Sequence, residues 1–332
     1  MVNNKKTSRS TKALVLTRLR ELRGASISGE VLAAELGISR VAVWKAVESL
    51  REVGYAADTD EGGYRLDPSA EEDFLYPWEF GERENRFLHY DETTSTMDRA
   101  RELAERGAPA GTVVVAERQS AGRGRAGRSW ESSSGGLFFT VIIEPGTSVL
   151  RYARVSLAAQ LAIAAAVRKA TGAEAKPRWQ NDVYVGSKKI AGVLVEFEAE
   201  GDVVRRMTIG VGVNVNNKLL GDGALTCSEL AKRKLSRREI LNAFIEAFEL
   251  EQSFEKGKDF IDRWNAAAFG VGIHARFIDA RHGETTTKPD TGEIHRAGRF
   301  MGIDCFGRAV LETDTGIEHL EAGTTSLRFN DR

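Results

Sequence analysis

The chain of 332 residues is poor in cysteine, with two, and in proline, with six. Cys227 and Cys305 stand far apart, which excludes a disulfide framework and a four-thiolate zinc site. They read as two small apolar side chains in a reducing compartment. An excess of charge of one sign is also missing, because 47 basic against 48 acidic side chains leave a net charge of −1. Such a chain has no overall pull toward nucleic acid or acidic lipid, so any anion site must be local. Long hydrophobic runs are absent too. The most apolar stretch, LAAQLAIAAAV, is too short to span a bilayer. The charged start MVNNKKTSRSTK precedes no apolar segment of the kind a secretory signal carries. These absences predict a cytosolic protein that does not enter a membrane. What remains is a globular composition, 42% hydrophobic and 29% charged, over a length that suggests two or three domains.

Residues 1–67 read as one opening unit. Leu14, Leu16, Leu19 and Leu22 recur at helical spacing before Gly24. In SGEVLAAELGISRVAVWKAVESL, Ser28 caps a first helix, Gly37 ends it and Ser39 caps a second, with Val43, Val47 and Leu50 on one face. The segment AADTDEGGYRL then reads as a hairpin turning at Glu61-Gly62-Gly63. Helix, tight turn, helix and hairpin make a winged helix-turn-helix, with Ser39, Arg40 and Lys45 as candidate DNA contacts. The basic arm Lys5, Lys6 and Arg9 is either a phosphate contact or a solvated tail. Neutral modules of this shape also dock proteins, and that alternative stays open. The polar, Pro68-containing stretch DPSAEEDF begins a linker over 68–84.

From 85 to 270, strands joined by short turns alternate with helices, the longest being the alanine-rich one that ends at Gly172. The pattern predicts an α+β domain built on a mainly antiparallel sheet. A helix should open at Ser236 with Glu239 as a capping box, and the neighbouring KRKLSRR reads as a solvated loop and helix start. Short glycine-separated strands over 271–332 predict a small β-barrel.

Within this middle domain, ERQSAGRGRAGRSW spells G-x-G-x-x-G at Gly122, Gly124 and Gly127. A dinucleotide turn needs a helix starting inside the motif, and here a loop and then a strand follow. Glu144 falls near the offset of a ribose-binding acid, which shows how cheaply that motif is matched. No Walker A loop occurs. What the segment does hold is Arg123, Arg125 and Arg128 between glycines, planar forks suited to carboxylate or phosphate oxygens. Three cations so close should repel and keep the loop mobile until an anion arrives; a solvated basic loop is the alternative. In RWQNDVYVGSKKIAGVLVE, Asn181 and Asp182 end a turn and Lys189 follows beside Gly192, placing a cation where a ligand can approach. Asp182 suits a magnesium ion or a ribose hydroxyl.

Taken together, TTSTM (93–97), ERQSAGRGRAGRSWES (117–132), RWQNDVYVGSKKIAGVLVE (178–196) and IGVGVNVN (209–216) resemble the biotin–protein ligases. The likeness is greatest to the bifunctional bacterial type that also represses biotin synthesis genes, and it covers nearly the whole chain. The resemblance implies a class II synthetase-like sheet domain and an SH3-like C-terminal barrel. It implies activation of biotin by ATP and Mg²⁺ to biotinyl-5′-adenylate, then transfer to a lysine of a biotin carboxyl carrier domain. It further implies binding to operator DNA and a homodimer when the adenylate is bound. Lys189 and Arg125 would then be catalytic. Ser95, Thr96, Met97, Gln119, Arg123, Gly124, Arg125 and Lys189 would bind biotin. Arg128, Trp130, Asn181, Asp182 and Asn214 would serve the nucleotide, with Asp182 and Asn214 on the metal. Trp130 reads equally as a packing anchor. The family's S-T-N is here Ser95-Thr96-Met97, and its Lys-Trp-Pro-Asn-Asp is Arg178-Trp179-Gln180-Asn181-Asp182. The insertion around 280–298 has no counterpart in the motif set. No histidine lies in the arginine–glycine loop, which separates the chain from lipoate ligases. A ligase without an operator and a biotin sensor without ligase activity remain as alternatives.

Overall fold

The computed structural model describes all residues except 1–8, 71, 144–151, 202, 255–258, 280–295, 322–324 and 330–332. The arm residues Lys5 and Lys6, Glu144 and most of the 280–298 insertion therefore lie outside the described residues. The chain divides into two units, residues 1–89 and 90–332.

In the first unit, helices α1 (Thr11–Glu21), α2 (Gly29–Leu36) and α3 (Arg40–Glu52) precede a hairpin of β1 (Ala57–Asp60) and β2 (Gly63–Leu66). The caps fall where the side chains favour them. Ser28 accepts from the Val31 N–H and Ser39 from the Ala42 N–H, while Gly37 adopts the left-handed conformation that closes α2. Val43, Val47 and Leu50 are wholly buried with Leu16, Leu19 and Leu32, each contributing about 1.5–3 kcal/mol. The hairpin turns on Glu61-Gly62, since Asp60 pairs with Gly63. Gly63 is obligatory there: at φ +117°, a Cβ would lie 2.1 Å from the Ile27 carbonyl oxygen.

The stretch expected to link domains is more structured than its polarity suggests. Leu75 is fully buried, residues Pro77–Arg86 form 3₁₀ turns, and Phe74, Tyr76 and Trp78 pack on the first unit's core. Glu79 is buried and receives Arg20 at 2.6 Å and the Tyr55 hydroxyl. Burial and the Glu79 charge together push the Tyr55 phenol up. An acidic residue in a nominal linker thus anchors a buried ion pair.

The second unit holds a seven-stranded sheet in the order β3-β4-β5-β9-β8-β7-β6. Its strands are β3 (Phe87–Thr93), β4 (Val113–Gln119), β5 (Leu137–Ile143), β6 (Ala175–Arg178), β7 (Asp182–Val185), β8 (Lys188–Glu200) and β9 (Val203–Val213). The pairings from β4 to β6 are antiparallel. Strand alternation separates two faces. Phe139 meets Phe244 edge-on, so that face carries α5 (Tyr152–Thr171) and α7 (Arg237–Phe254). Its neighbour Thr140 donates to Thr96, so the opposite face carries α4 (Thr96–Glu105).

Short helix α6 (Cys227–Ala231) opens with a capping box, Thr226 with Glu229. Burial pushes the Cys227 thiol up to about 12, leaving it an inert core group. At the start of α7 the Glu239 N–H donates to Ser236 as expected. The basic cluster before it is not wholly solvated: Arg237 is 5% exposed and donates to Glu117 at 2.6 Å and to the Gly136 carbonyl.

After α8 (Phe260–Ala267), strands β10 (His274–Asp279), β11 (Arg296–Ile303), β12 (Ala309–Thr313), β13 (Gly316–Leu320) and β14 (Thr325–Phe329) form a five-stranded antiparallel sheet, order β13-β12-β11-β10-β14. Among the described residues, no helix is long and apolar enough to cross a membrane.

Candidate active site

On the α4 face of the large sheet lies an open cleft with apolar and polar walls, the general form of a small-molecule site. Its floor is backbone. Gly192 on β8 and Gly212 on β9 are register partners, and the Trp130 indole lies flat against both. A Cβ on Gly212 would stand 2.5 Å from Trp130 Nε1, and one on Gly192 would stand 2.8 Å from its Cζ3. Gly210 repeats the arrangement toward Met97, whose sulfur would be 2.7 Å from a Cβ there. Gly192 is the point of ligand approach expected from the sequence, whereas Gly210 and Gly212 stand in the motif IGVGVNVN without an expected role. The signal that marks them is period two: Gly210 and Gly212 fall on one face of a strand whose other face, Ile209, Val211 and Val213, is core.

One wall is polar. Ser95 caps α4 by accepting from the Met97 N–H. Gln119 Oε1 accepts from the Thr96 N–H at 2.8 Å and from its hydroxyl at 3.1 Å, while Gln119 Nε2 donates to Ser132 at 2.8 Å. Ser95, Thr96, Met97 and Gln119 all line the cleft. Met97 is 4% exposed and packs as an apolar side chain, with its N–H already used by Ser95.

The arginine–glycine loop closes the other side, and it is ordered by its own bonds. The Trp130 N–H reaches the Gly122 carbonyl at 2.9 Å, the Gly124 N–H reaches the Arg128 carbonyl at 2.7 Å, and Arg125–Gly127 form a single 3₁₀ turn. No helix begins at the glycines, as the absence of a dinucleotide turn requires. The three guanidinium groups do not crowd as their spacing suggested, because each leaves in its own direction. Arg123 joins Asp98 at 2.7 Å and Glu196 at 3.2 Å. Burial pulls its pKa down, but those two carboxylates outweigh it and leave the group above its ordinary value. Arg125 donates to Asn181 Oδ1 at 3.3 Å, and Arg128 donates to the Arg125 carbonyl. Internal carboxylates thus neutralise Arg123, whereas Arg125 and Arg128 donate to uncharged oxygens.

Lys189 stands at the centre. Its ammonium is 2.6 Å from Asp182 Oδ1 and 4.9 Å above the Trp130 ring. Asn181, immediately before β7, donates to the Val193 carbonyl at 2.9 Å. Asn214 does not line the cleft: it is 5% exposed, accepts from Asn217 at 3.3 Å, and its backbone bonds Ile190 and Cys227. Of the two residues expected on the metal, Asp182 lines the cleft and Asn214 does not. Asp182 is engaged by Lys189, and no three His, Cys, Asp or Glu converge among the described residues. Asn214 follows the last residue of β9 and is buried against Asn217.

Beyond the floor, Arg178 pairs in register with Asp182. Its guanidinium sits among three rings, 4.4 Å from Tyr184, 5.0 Å from Phe329 and 5.5 Å from Phe269. Trp179 is buried and donates to the Gly307 carbonyl at 3.0 Å; the peptide joining it to Gln180 is cis. Segment 178–182 is therefore fastened at one end to the C-terminal sheet while its other end forms the cleft. In the first unit, Arg40 and Lys45 are exposed on α3, and Ser39 is exposed but spends its hydroxyl as the cap.

Comparison with known proteins places this geometry. The profile of the Biotin/lipoate A/B protein ligase family matches residues 90–214, and an HTH domain profile matches residues 11–65. The bifunctional ligase/repressor BirA of Bacillus subtilis (strain 168) is 31% identical over 328 residues, covering 91% of this chain and 94% of that protein. The biotin–[acetyl-CoA-carboxylase] ligase of Paracoccus denitrificans is 37% identical, covering 69% of this chain and 95% of that protein. The structure of the biotin protein ligase from Aquifex aeolicus in complex with biotin and ATP superposes with a TM-score of 0.61 at 29% identity, covering 74% of this chain and 99% of that one. With a relative of that identity and coverage, and with both family profiles matched, the chain belongs to the biotin protein ligase family in its bifunctional ligase/repressor form.

Proposed function

We propose that the protein condenses biotin with ATP to biotinyl-5′-adenylate, releasing pyrophosphate, and transfers the biotinyl group to a lysine of a biotin carboxyl carrier domain. The observation that carries this reading is the Lys189 ammonium poised over the cleft beside Asp182. In the first step a carboxylate oxygen of biotin bonds to the α-phosphorus as the bond to pyrophosphate breaks. Two anions must meet, and a fixed cation between them offsets their repulsion. Lys189 takes that position by exchanging Asp182 for the reactants, with Arg125 and Arg128 facing the phosphates. In the second step the carrier amine attacks the acyl carbon and AMP leaves; Lys189 stabilises the charge that collects on the anhydride oxygens.

The apolar part of biotin is assigned to the floor at Gly192, Gly210 and Gly212 with Leu194, Met97 and Trp130, and its polar end to Ser95, Thr96 and Gln119. Arg123, tied to Asp98 and Glu196, anchors the loop and leaves its neighbours Gly124 and Arg125 to face the ligand. Asn181 and Trp130 serve the nucleotide. A magnesium ion would accompany ATP, with Asp182 as the carboxylate in the cleft able to meet it.

The same proposal extends to regulation in the cytoplasm. Residues 1–67 would bind operator DNA through Ser39, Arg40 and Lys45, as a homodimer when the adenylate is bound. Residues 68–84 connect them to a ligase domain at 85–270, and 271–332 close as an SH3-like barrel. The test is to incubate the chain with ATP, biotin and a carrier domain, and follow carrier mass and pyrophosphate release. Lys189→Ala should keep biotin binding and lose pyrophosphate release by at least a hundredfold, the scale of one removed charge-stabilising group. Release near the wild-type rate would refute the assignment.

A further inference from the structure

The outer face of α3 carries more than the cations already named. Opposite the buried Val43, Val47 and Leu50, Val41 is 61% exposed and Trp44 is 52% exposed. Arg40 with Trp44, and Val41 with Lys45, are four apart and therefore stacked on one side of the helix. An apolar pair flanked by two cations thus occupies the first turns of α3. A half-exposed tryptophan forgoes burial that its large ring would otherwise gain, which points to a surface meant to be covered.

Position and charge choose the cover. The N-terminal turns of the second helix are where a helix-turn-helix meets base edges. The major groove presents one apolar feature, the thymine 5-methyl group, and apolar side chains contact it. The hairpin offers the opposite chemistry. Asp58, Asp60 and Glu61 crowd toward its tip, and Arg65 is drawn to both aspartates at 3.5 and 3.8 Å. The Ser26 hydroxyl and the Gly62 N–H hold Asp60 below the usual carboxylate range, so the tip stays anionic. Acidic and basic side chains balance over residues 9–67, so the described part of this unit has little sequence-independent attraction for phosphate. Selectivity must then come from base-edge contact.

We propose that Val41 and Trp44 are specificity-determining residues that pack on thymine methyl groups in the major groove, with Arg40 and Lys45 on the flanking phosphates and the acidic hairpin held off the duplex. This rests on the repressor reading above. It differs from that reading in naming the apolar residues as the readers of sequence and in removing the wing from the interface.

The experiment uses the full chain with biotin and ATP. Duplexes are selected from a random library, and each thymine of the selected sequence is then replaced singly by uracil, which keeps every hydrogen-bonding group and deletes only the methyl. At least one replacement per half-site should weaken wild-type binding about four-fold, the equivalent of one buried carbon. Trp44→Ala and Val41→Ala should bind the thymine and uracil duplexes equally, with unchanged thermal unfolding because both side chains are exposed. Uracil replacement without effect at every position overturns the proposal and leaves the repressor reading standing. Trp44→Ala and Val41→Ala proteins that bind and discriminate like wild type also overturn it, assigning the patch to a protein contact. Failure to enrich any duplex instead removes the repressor reading itself.

Discussion

Replacing Gly212 by alanine tests the glycine floor directly. A methyl at that position would stand 2.5 Å from Nε1 and Cε2 of Trp130 and 2.9 Å from Cζ2, against the 3.5–4.0 Å of a relaxed carbon contact. The backbone beneath is extended sheet paired on both sides, with Phe138 and Gly192, so the indole must yield. Its N–H is buried without an acceptor among the described residues, so no hydrogen bond resists the displacement. The cost is that of an overpacked contact, about 1–3 kcal/mol. In a unit of this size that lowers the midpoint of thermal unfolding by roughly 2–4 °C per kcal/mol. In a Trp130→Ala background the three closest contacts of that methyl are gone, and Gly212→Ala should be neutral or stabilising by about 0.4–1 kcal/mol through the unfolded chain. The assay is a double-mutant cycle by thermal unfolding, with tryptophan emission followed alongside. A cycle that closes with no coupling would refute the stacking of Trp130 on the floor, and so would unchanged emission.

Other consequences follow from the same geometry. Arg178→Leu removes the cation from its three rings and should cost about 2 kcal/mol while raising the KM for ATP; Arg178→Lys, which keeps charge but loses the planar fork, should recover only part, and equal ATP kinetics in all three proteins would separate the ring cluster from the cleft. Arg237→Met removes a buried guanidinium from the Glu117 carboxylate and the Gly136 carbonyl and should lower stability by about 3 kcal/mol, read from the urea midpoint. Arg125→Gly should loosen the loop and let the activated acyl group escape, so that bystander proteins are biotinylated; labelling confined to the carrier would count against it. Asp304 titrates with a sign that can be stated: burial opposes its ionisation, but bonds from Arg308, from the Phe306 N–H and from His319 outweigh it and hold the carboxyl below the usual range. Its stabilisation is therefore complete above the ordinary aspartate pKa of about 4 and is lost as pH falls through the depressed value. Hydrogen exchange in β11 and β12 should accelerate there, and Asp304→Asn should remove that part of the acid response.

Local chemistry was legible in the chain and distant pairing was not. Ser28 and Ser39 open helices, and Gly37 and Gly172 close them, where the sequence places those caps, because a cap is decided within four residues. The cleft residues Ser95, Thr96, Gln119, Arg125, Trp130, Asp182 and Lys189 did converge, since motif residues in ligand-facing loops carry their chemistry openly. What could not be read was the partner of each charge. Arg123 looked like a free cation, yet Asp98 and Glu196 lie 25 and 73 residues away along the chain. Arg237 looked solvated because its neighbours are basic, and Glu79 looked like linker because its neighbours are polar. In each case burial depends on a strand or helix that the local window does not contain. Asn214 shows the converse: it sits in the right motif and continues the period of Gly210 and Gly212, but it lies just past the end of β9, buried against Asn217.

The backbone floor also sets a direction for change. At Gly192, Gly210 and Gly212 every possible substitution adds atoms, so point mutation at the base of the cleft can only shrink it. A variant accepting a bulkier acyl group must gain its room from Trp130, Met97 or Leu194. The site is therefore easier to narrow than to broaden, and its tolerance for enlarged analogues is decided by its walls.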